Sequence, residues 1–288
     1  GVCAAFTAPQ VWASIPAVMP ASKISRAMGL AFSGLAAAQA MGVPIGSWLA
    51  VYSWSVPFWV VGSISLILSA IVLFALPNIQ PHGNQKGRAS ILHRYVTLLS
   101  SGKARFGFLA YLLLHLGSGT TFAFVGKWLA DQHHLSVGSI GTVMMFLGLG
   151  TLLGSLIRAR AIQVLGRVQA VAIGSVILML LYIVGPYIPS LPVATASYLA
   201  IFAILGIMFP IVMEALTSLN ASVRGTISSL ANSVMNGANT IGAWIAGVLY
   251  VYLGGFASIG IFSSVCLALA LITFLIGGVL QMRSVQEQ

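Results

Sequence analysis

Long apolar runs, separated by short polar segments, occupy most of the 288-residue chain. Each run is close to the length of about 20 residues that an α-helix needs to cross a bilayer. The pattern therefore predicts an all-α membrane protein with nine spanning helices. The predicted spans are residues 2–19, 27–50, 56–76, 106–130, 137–157, 168–188, 193–215, 226–251 and 256–281.

The basic residues are distributed unevenly between the two sets of connections that join these helices. The connections at 20–26, 77–105, 158–167 and 216–225, together with the C-terminus, hold twelve Lys and Arg residues, whereas the other side holds Lys127 alone. Loops rich in Lys and Arg remain in the cytoplasm, so the first side is predicted to be cytoplasmic. The twelve residues are Lys23, Arg26, Lys86, Arg88, Arg94, Lys103, Arg105, Arg158, Arg160, Arg167, Arg224 and Arg283.

The net charge of +10 does not indicate nucleic-acid binding, because the charges are spread over juxtamembrane segments and not along one soluble face. Cys3 and Cys266 lie far apart in apolar runs and predict neither a disulfide framework nor a metal site. The sequence has no Gly-x4-Gly-Lys-Ser/Thr loop and no Gly-x-Ser-x-Gly turn, so it gives no support to ATP-driven transport or to hydrolase chemistry.

Residues 77–105 form the longest polar connection and divide the chain into residues 1–76, with three helices, and residues 106–288, with six. Within this linker, residues 91–99 are apolar on one face and predict an interfacial helix on the cytoplasmic surface. Residues 1–19 lack the basic start of a signal peptide and predict a spanning helix.

The two parts resemble each other in sequence. Arg26 and Arg224 each precede a helix rich in small residues, and Pro9 and Pro210 interrupt the preceding helices. Many secondary transporters consist of such repeats. A complete repeat would place about three more helices before Gly1, so we expect an N-terminally truncated chain.

Helix 27–50 carries Gly34, Ala38, Gly42 and Gly46 at four-residue spacing. Small residues on one face let a neighbouring helix approach closely in lipid, and Pro44 predicts a kink. By itself this pattern is typical of packing between membrane helices.

Arg26-Ala27-Met28-Gly29, then Gly34 and the run from Gly42 through Pro44 to Gly46, resemble the fifth helix of the major facilitator superfamily, in its twelve-helix drug:proton antiporter and sugar–nucleoside efflux branch. That helix carries the branch's antiporter motif; here Ala38 and Ser47 replace glycines of the motif. The resemblance implies two helical bundles, with residues 1–76 as helices 4 to 6, 77–105 as the central cytoplasmic loop and 106–288 as helices 7 to 12. The family's Gly-Asp-Arg-Gly-Arg pattern between helices 8 and 9 is matched only by Gly154, Arg158, Arg160, Gly166 and Arg167.

In that family helices 1, 4, 7 and 10 line the transport path. The resemblance therefore implies that ten residues of this chain, on the helices that match 4, 7 and 10, line the path. They are Phe6, Pro9, Gln10, Trp12, His115, Thr120, Phe124, Phe209, Met213 and Glu214. Glu214 is the one acid clearly inside a predicted span and would either handle substrate or protons or form an ion pair at the cytoplasmic mouth. His115 would either bind substrate or form a hydrogen bond between helices.

Asn232, Asn236 and Asn239 share one face of helix 226–251, because they are four and then three residues apart. Two interpretations remain open for this face. The amides either join two helices by hydrogen bonds or border the transport cavity.

These features favour an exporter of small organic solutes that works by alternating access in exchange for protons. We expect a monomer in the bacterial inner membrane with a cytoplasmic C-terminus, surrounded by lipid and without a cofactor, a metal, a catalytic residue or a nucleic-acid partner. The alternatives are a membrane-embedded transferase using His133 or His134 with Asp131, and an inactive transporter fragment. Adjacent histidines lack the i,i+4 spacing of a helical zinc site, so the segment around them predicts an exposed polar loop.

Overall fold

The computed structural model describes residues 44–75, 98–219 and 224–280, together with the single positions 20, 34, 38, 41, 42 and 96. Among the described residues, six long helices follow the short helical segment 44–50. They are α1 (Val56–Ala75), α2 (Gly102–His133), α3 (Val137–Val184), α4 (Leu191–Ser218), α5 (Arg224–Tyr252) and α6 (Phe256–Gly277).

All six helices are long and apolar enough to cross a membrane. They overlap the seven spans that the sequence predicts from residue 56 onward, because α3 includes most of two of them. The all-α class is confirmed. The predicted spans 2–19 and most of 27–50 lie outside the described residues.

The prediction that residues 158–167 form a connection between two helices is wrong for most of these residues. Helix α3 runs through it and is broken only at Gly166, where φ is 76° and ψ is 162°. Residues 158–165 are Arg, Ala, Arg, Ala, Ile, Gln, Val and Leu, most of which favour continued helix. The backbone at Gly166, by contrast, lies in a region that only glycine adopts readily. The boundary between the two spans is therefore a kink and not a loop.

Two further predicted boundaries need correction. Helix α2 begins at Gly102, so Lys103 and Arg105 belong to its first turn and not to the linker 77–105. Helix α6 ends at Gly277 and not at residue 281, because Gly278 adopts the left-handed conformation (φ 57°) typical of a helix end.

The chain divides into two compact units, one formed by Gly1–Arg88 with Val137–Met145, the other by Ala89–Ser136 with Phe146–Gln288. In the first unit, side chains of α1 are exposed along its length, as expected of a helix whose apolar surface meets lipid. Two exposed aromatic residues, Trp54 just before α1 and Trp59 in its first turn, suit the membrane–water interface.

In the second unit, α3 and α4 approach closely along glycines. A Cβ atom at Gly154 would overlap the carbonyl oxygen of Ala203, and one at Gly206 would overlap that of Thr151. Packing and hydrogen bonding hold membrane helices together, since lipid is as apolar as their side chains. These glycines thus set the distance between α3 and α4.

Hydroxyl groups join α6 to its neighbours. Ser263 and Thr121 share a 2.8 Å hydrogen bond, and Ser263 also lies 2.7 Å from the carbonyl oxygen of Gly117 on α2. Ser264 donates to the carbonyl oxygen of Met179 on α3 at 3.0 Å. Such bonds satisfy buried polar groups where no water is at hand.

Candidate functional site

Glu214 lies in an ion cluster that joins α3 to α4. Its Oε1 accepts a 2.7 Å hydrogen bond from Nη2 of Arg167, and its Oε2 lies 3.7 Å from Nη1 of Arg158. The side chains of the three residues are 30–43% exposed, so the cluster is open to solvent on one side. Glu214 is the fifth residue from the end of α4, as expected of a group at the mouth of the bundle.

The kink at Gly166 places both arginines against the same carboxylate. Arg158 lies on α3 before the kink, and Arg167 follows it directly. Pro210 lies one turn before Glu214 inside α4, where its ring interrupts the regular hydrogen bonding of the helix. Of the residues that match the Gly-Asp-Arg-Gly-Arg pattern, Arg158 and Arg167 thus meet at Glu214, while Arg160 is exposed.

His115 lies near the middle of the 32-residue span of α2 and is only 5% exposed. Its ring stacks on Phe209 of α4, with ring centroids 4.5 Å apart and an interplanar angle of 12°. Tyr111, one turn earlier on α2, contacts the same imidazole edge-on at 4.4 Å. The buried Nε2 of His115 has no hydrogen-bond partner among the described residues, which is uncommon for a buried polar atom.

The other predicted cavity residues lie in different surroundings. Thr120 is fully buried, and its hydroxyl donates to the carbonyl oxygen of Leu116 one turn back. Phe124 packs on Tyr250 of α5, with ring centroids 5.3 Å apart. Met213 is half-buried beside Glu214. The predicted residues Phe6, Pro9, Gln10 and Trp12 lie outside the described residues.

Asn232, Asn236 and Asn239 are all exposed on α5. Asn236 donates from Nδ2 to Oδ1 of Asn232 at 2.6 Å. Asn239 lies against α2, since a Cβ atom at Gly119 would overlap its amide oxygen.

The helix with the predicted antiporter motif contacts the first turns of α3 within the first unit. Pro44 is buried, and a Cβ atom at Gly141 would lie 3.3 Å from the carbonyl oxygen of Pro44 and 2.5 Å from Cβ of Ser47. By contrast, a Cβ atom at Gly34, Gly42 or Gly46 would meet nothing among the described residues. The close contact observed is therefore at Gly141 and not at the motif's own glycines.

The predicted polar loop around His133 and His134 is the C-terminal end of α2. Asp131 accepts hydrogen bonds from Lys127 at 2.7 Å and from Tyr250 of α5 at 2.6 Å. His133 packs edge-on against Trp128. The carboxylate that a transferase would need next to a histidine is thus held by Lys127 and Tyr250. Within the described residues, no cluster of His, Cys, Asp or Glu side chains is suited to a metal ion.

Comparison with known proteins tests the family that the sequence resembles. A sequence profile described as the Major Facilitator Superfamily matches residues 1–106. The chain is 40% identical over 271 residues to "Uncharacterized MFS-type transporter YceJ" of Bacillus subtilis (strain 168), which covers 94% of this chain and 69% of that protein. The chain belongs to the Major Facilitator Superfamily.

A second relative is more distant. The chain is 24% identical over 146 residues to "Putative transporter AraJ" of Escherichia coli (strain K12), which covers 50% of this chain and 35% of that protein. Both relatives bear the names of transporters, and the chain has several apolar helices of spanning length. This member of the superfamily is therefore a multi-pass membrane protein of a transporter family.

Several residues of these sites were not predicted from the sequence. Tyr111 was detectable, because it precedes His115 by four residues and so shares its helix face. Tyr250 and Gly141 gave no such signal, since each contact joins segments that are distant in sequence.

Proposed function

We propose that the protein is a secondary active exporter that moves a small organic solute out of the cell by alternating access, in exchange for protons. Family membership supports transport, and the antiporter-motif resemblance of Gly34, Gly42, Pro44 and Gly46 supports export by exchange. The C-terminus and the basic segments would face the cytoplasm of the bacterial inner membrane.

The main support for this proposal comes from the surroundings of His115. The buried Nε2 of His115 lies near mid-span on α2 and has no hydrogen-bond partner among the described residues. The imidazole ring stacks on Phe209 of α4. Secondary transporters bind solutes and coupling ions near the bilayer midplane. An unpaired polar atom at that depth is costly unless it serves a ligand.

In this mechanism Glu214 does not bind the solute. Its carboxylate pairs with Arg167 and Arg158 and ties the kinked α3 to the end of α4. The ion cluster would hold these two helices together while the bundle moves. His115 and Phe209, inside the bundle, would contact the solute.

The test uses inverted membrane vesicles that contain the full-length protein and carry an imposed proton gradient, followed with a pH-sensitive dye. A transported solute should release protons from the vesicle lumen, so the dye signal should recover on its addition. His115→Phe keeps an aromatic ring on Phe209 but removes the nitrogens, and we expect it to lose most solute-driven proton release. Solute flux without proton movement in the wild type would contradict antiport.

His115→Gln is the companion variant, since it retains a hydrogen-bonding group without the ring. We expect it to keep part of the activity that His115→Phe loses. Equal activity of His115→Phe and the wild type would exclude the imidazole from solute or proton binding and leave it a packing role.

A further inference from the structure

The three asparagines of α5 form one exposed polar face, here called the carboxamide face (Asn232, Asn236 and Asn239). The spanning part of α5 is the 27-residue segment Thr226–Tyr252, and Asn239 is its middle residue. Exposed amides at this depth are costly in hydrocarbon, because lipid offers no hydrogen bonds. The carboxamide face therefore meets water or another polar surface.

The face does not join α5 to the other described helices of its unit by hydrogen bonds. Asn239 touches Gly119 of α2, but Asn232 and Asn236 bond to each other. The neighbouring hydroxyls of Ser233 and Thr240 donate to backbone carbonyls of α5 itself, at 3.1 and 2.8 Å. The amide groups are thus the main hydrogen-bonding groups left on this side of the helix.

The hydrogen bond between the amides of Asn232 and Asn236 leaves specific groups free to bind a ligand. Nδ2 of Asn236 donates to Oδ1 of Asn232 at 2.6 Å and to the backbone oxygen of Asn232 at 2.9 Å. The amino group of Asn232 and the amide oxygen of Asn236 remain. One N–H···O bond between two carboxamides leaves the amino group of one and the amide oxygen of the other unused, whichever way each amide is oriented.

We propose that the carboxamide face is a solute-binding surface at mid-depth that recognises an uncharged solute with a neighbouring donor and acceptor, such as a vicinal diol or a carboxamide. This inference rests on the proposed export function and adds a solute class to it. A neutral donor–acceptor pair forms two hydrogen bonds with such a group but does not neutralise an ionic charge. Asn236 lies three residues from the middle of the span, and both members of the pair are exposed. The Asn232–Asn236 bond holds their unused groups next to each other.

The first test asks whether the face meets water. In a background with Cys3→Ser and Cys266→Ser, Asn236→Cys is compared with Val265→Cys, an exposed apolar position in the middle of α6. A charged, water-soluble thiol reagent should label position 236 in membranes, and position 265 should stay unlabelled because it faces lipid. Labelling of neither position, or of both equally, would overturn the assignment.

The second test measures binding to the full-length protein in detergent without any gradient, by equilibrium dialysis. The probes are methyl glucoside, a neutral vicinal diol, nicotinamide, a neutral carboxamide, and tetraphenylphosphonium, a cation without hydrogen-bonding groups. Asn236→Leu should weaken binding of a neutral probe about tenfold, as expected for a lost hydrogen bond worth roughly 1.4 kcal/mol. Asn236→Gln should retain part of that affinity.

Gln132→Leu is the matched control, because it removes an exposed carboxamide at the end of α2, away from mid-depth. It should leave binding of both neutral probes unchanged. Equal affinity of Asn236→Leu and the wild type, or a wild type that binds neither neutral probe, would overturn the inference.

A lower melting temperature of Asn236→Leu with unchanged binding would show that another helix covers the face, which also overturns the inference. Binding that depends on Asn236 without any solute-driven proton release would instead contradict only the proposed antiport. The failure of one proposal is therefore distinguishable from the failure of the other.

Discussion

Arg167 and Glu214 are 47 residues apart in sequence, yet the guanidinium of the first donates a 2.7 Å hydrogen bond to the carboxylate of the second. The bond connects the residue after the kink in α3 to the last turns of α4. Glu214, the one acid inside a predicted span, is therefore a member of an ion pair, which is one of the two roles that the sequence left open.

This pairing predicts a moderate effect of Glu214→Gln. A partly exposed ion pair contributes about 0.5–1 kcal/mol, so transport by the full-length protein should slow about two- to fivefold. Coupled proton movement should persist, because the coupling group would lie elsewhere. Proton release and solute flux are to be compared at equal expression.

Arg160→Ala is the control for this variant, since Arg160 is exposed and forms no ion pair with the described residues. It should leave transport unchanged. Complete loss of proton movement in Glu214→Gln, with solute binding retained, would identify Glu214 as the proton carrier and contradict its role as an ion-pair partner.

The twelve-to-one distribution of basic residues predicts the orientation of the chain. A cysteine introduced at Gln163 should be protected from an impermeant thiol reagent in intact cells, whereas one at His134 should be labelled. Both positions are exposed, so accessibility within the protein does not limit the reaction. Labelling of position 163 in sealed cells, in a background without Cys3 and Cys266, would reverse the topology.

The sequence predicted the helices from residue 56 onward well, because each is an apolar run of bilayer length. It misplaced the boundary inside α3, since residues 158–165 are polar enough to resemble a loop but also favour helix. Gly166 was the one residue that marked the boundary between the two spans, because its positive φ interrupts the regular helix.

The candidate site was less predictable. His115 and Phe209 were both expected to lie on the transport path, but their stacking was not, because helices that are apolar on all sides do not reveal which face meets which neighbour. The partners of Asp131 and of Gly141 escaped prediction for the same reason.

Gly154 should tolerate no side chain, because a Cβ atom there would overlap the carbonyl oxygen of Ala203 on α4. Gly154→Ala would have to push α3 and α4 apart, and we expect it to cost about 1–3 kcal/mol, as overpacking of a core does. Gly62→Ala is the matched control, because a Cβ atom at Gly62 on α1 would meet nothing within 4 Å among the described residues. Thermal unfolding in detergent should show a lower midpoint for the first variant only, and equal midpoints would contradict the close approach.

Gly166 should not tolerate a side chain either, but for a different reason. No described atom lies within 4 Å of its virtual Cβ, so space is available, but φ of 76° with ψ of 162° is a conformation that residues with a Cβ rarely adopt. Gly166→Ala should therefore cost about 1–3 kcal/mol or straighten the kink. Straightening would move Arg167 away from Glu214, so the double variant Gly166→Ala/Glu214→Gln should transport no more slowly than Gly166→Ala alone. Additive losses in the two variants, measured as initial rates of solute flux, would show that the kink does not act through the Arg167–Glu214 bond.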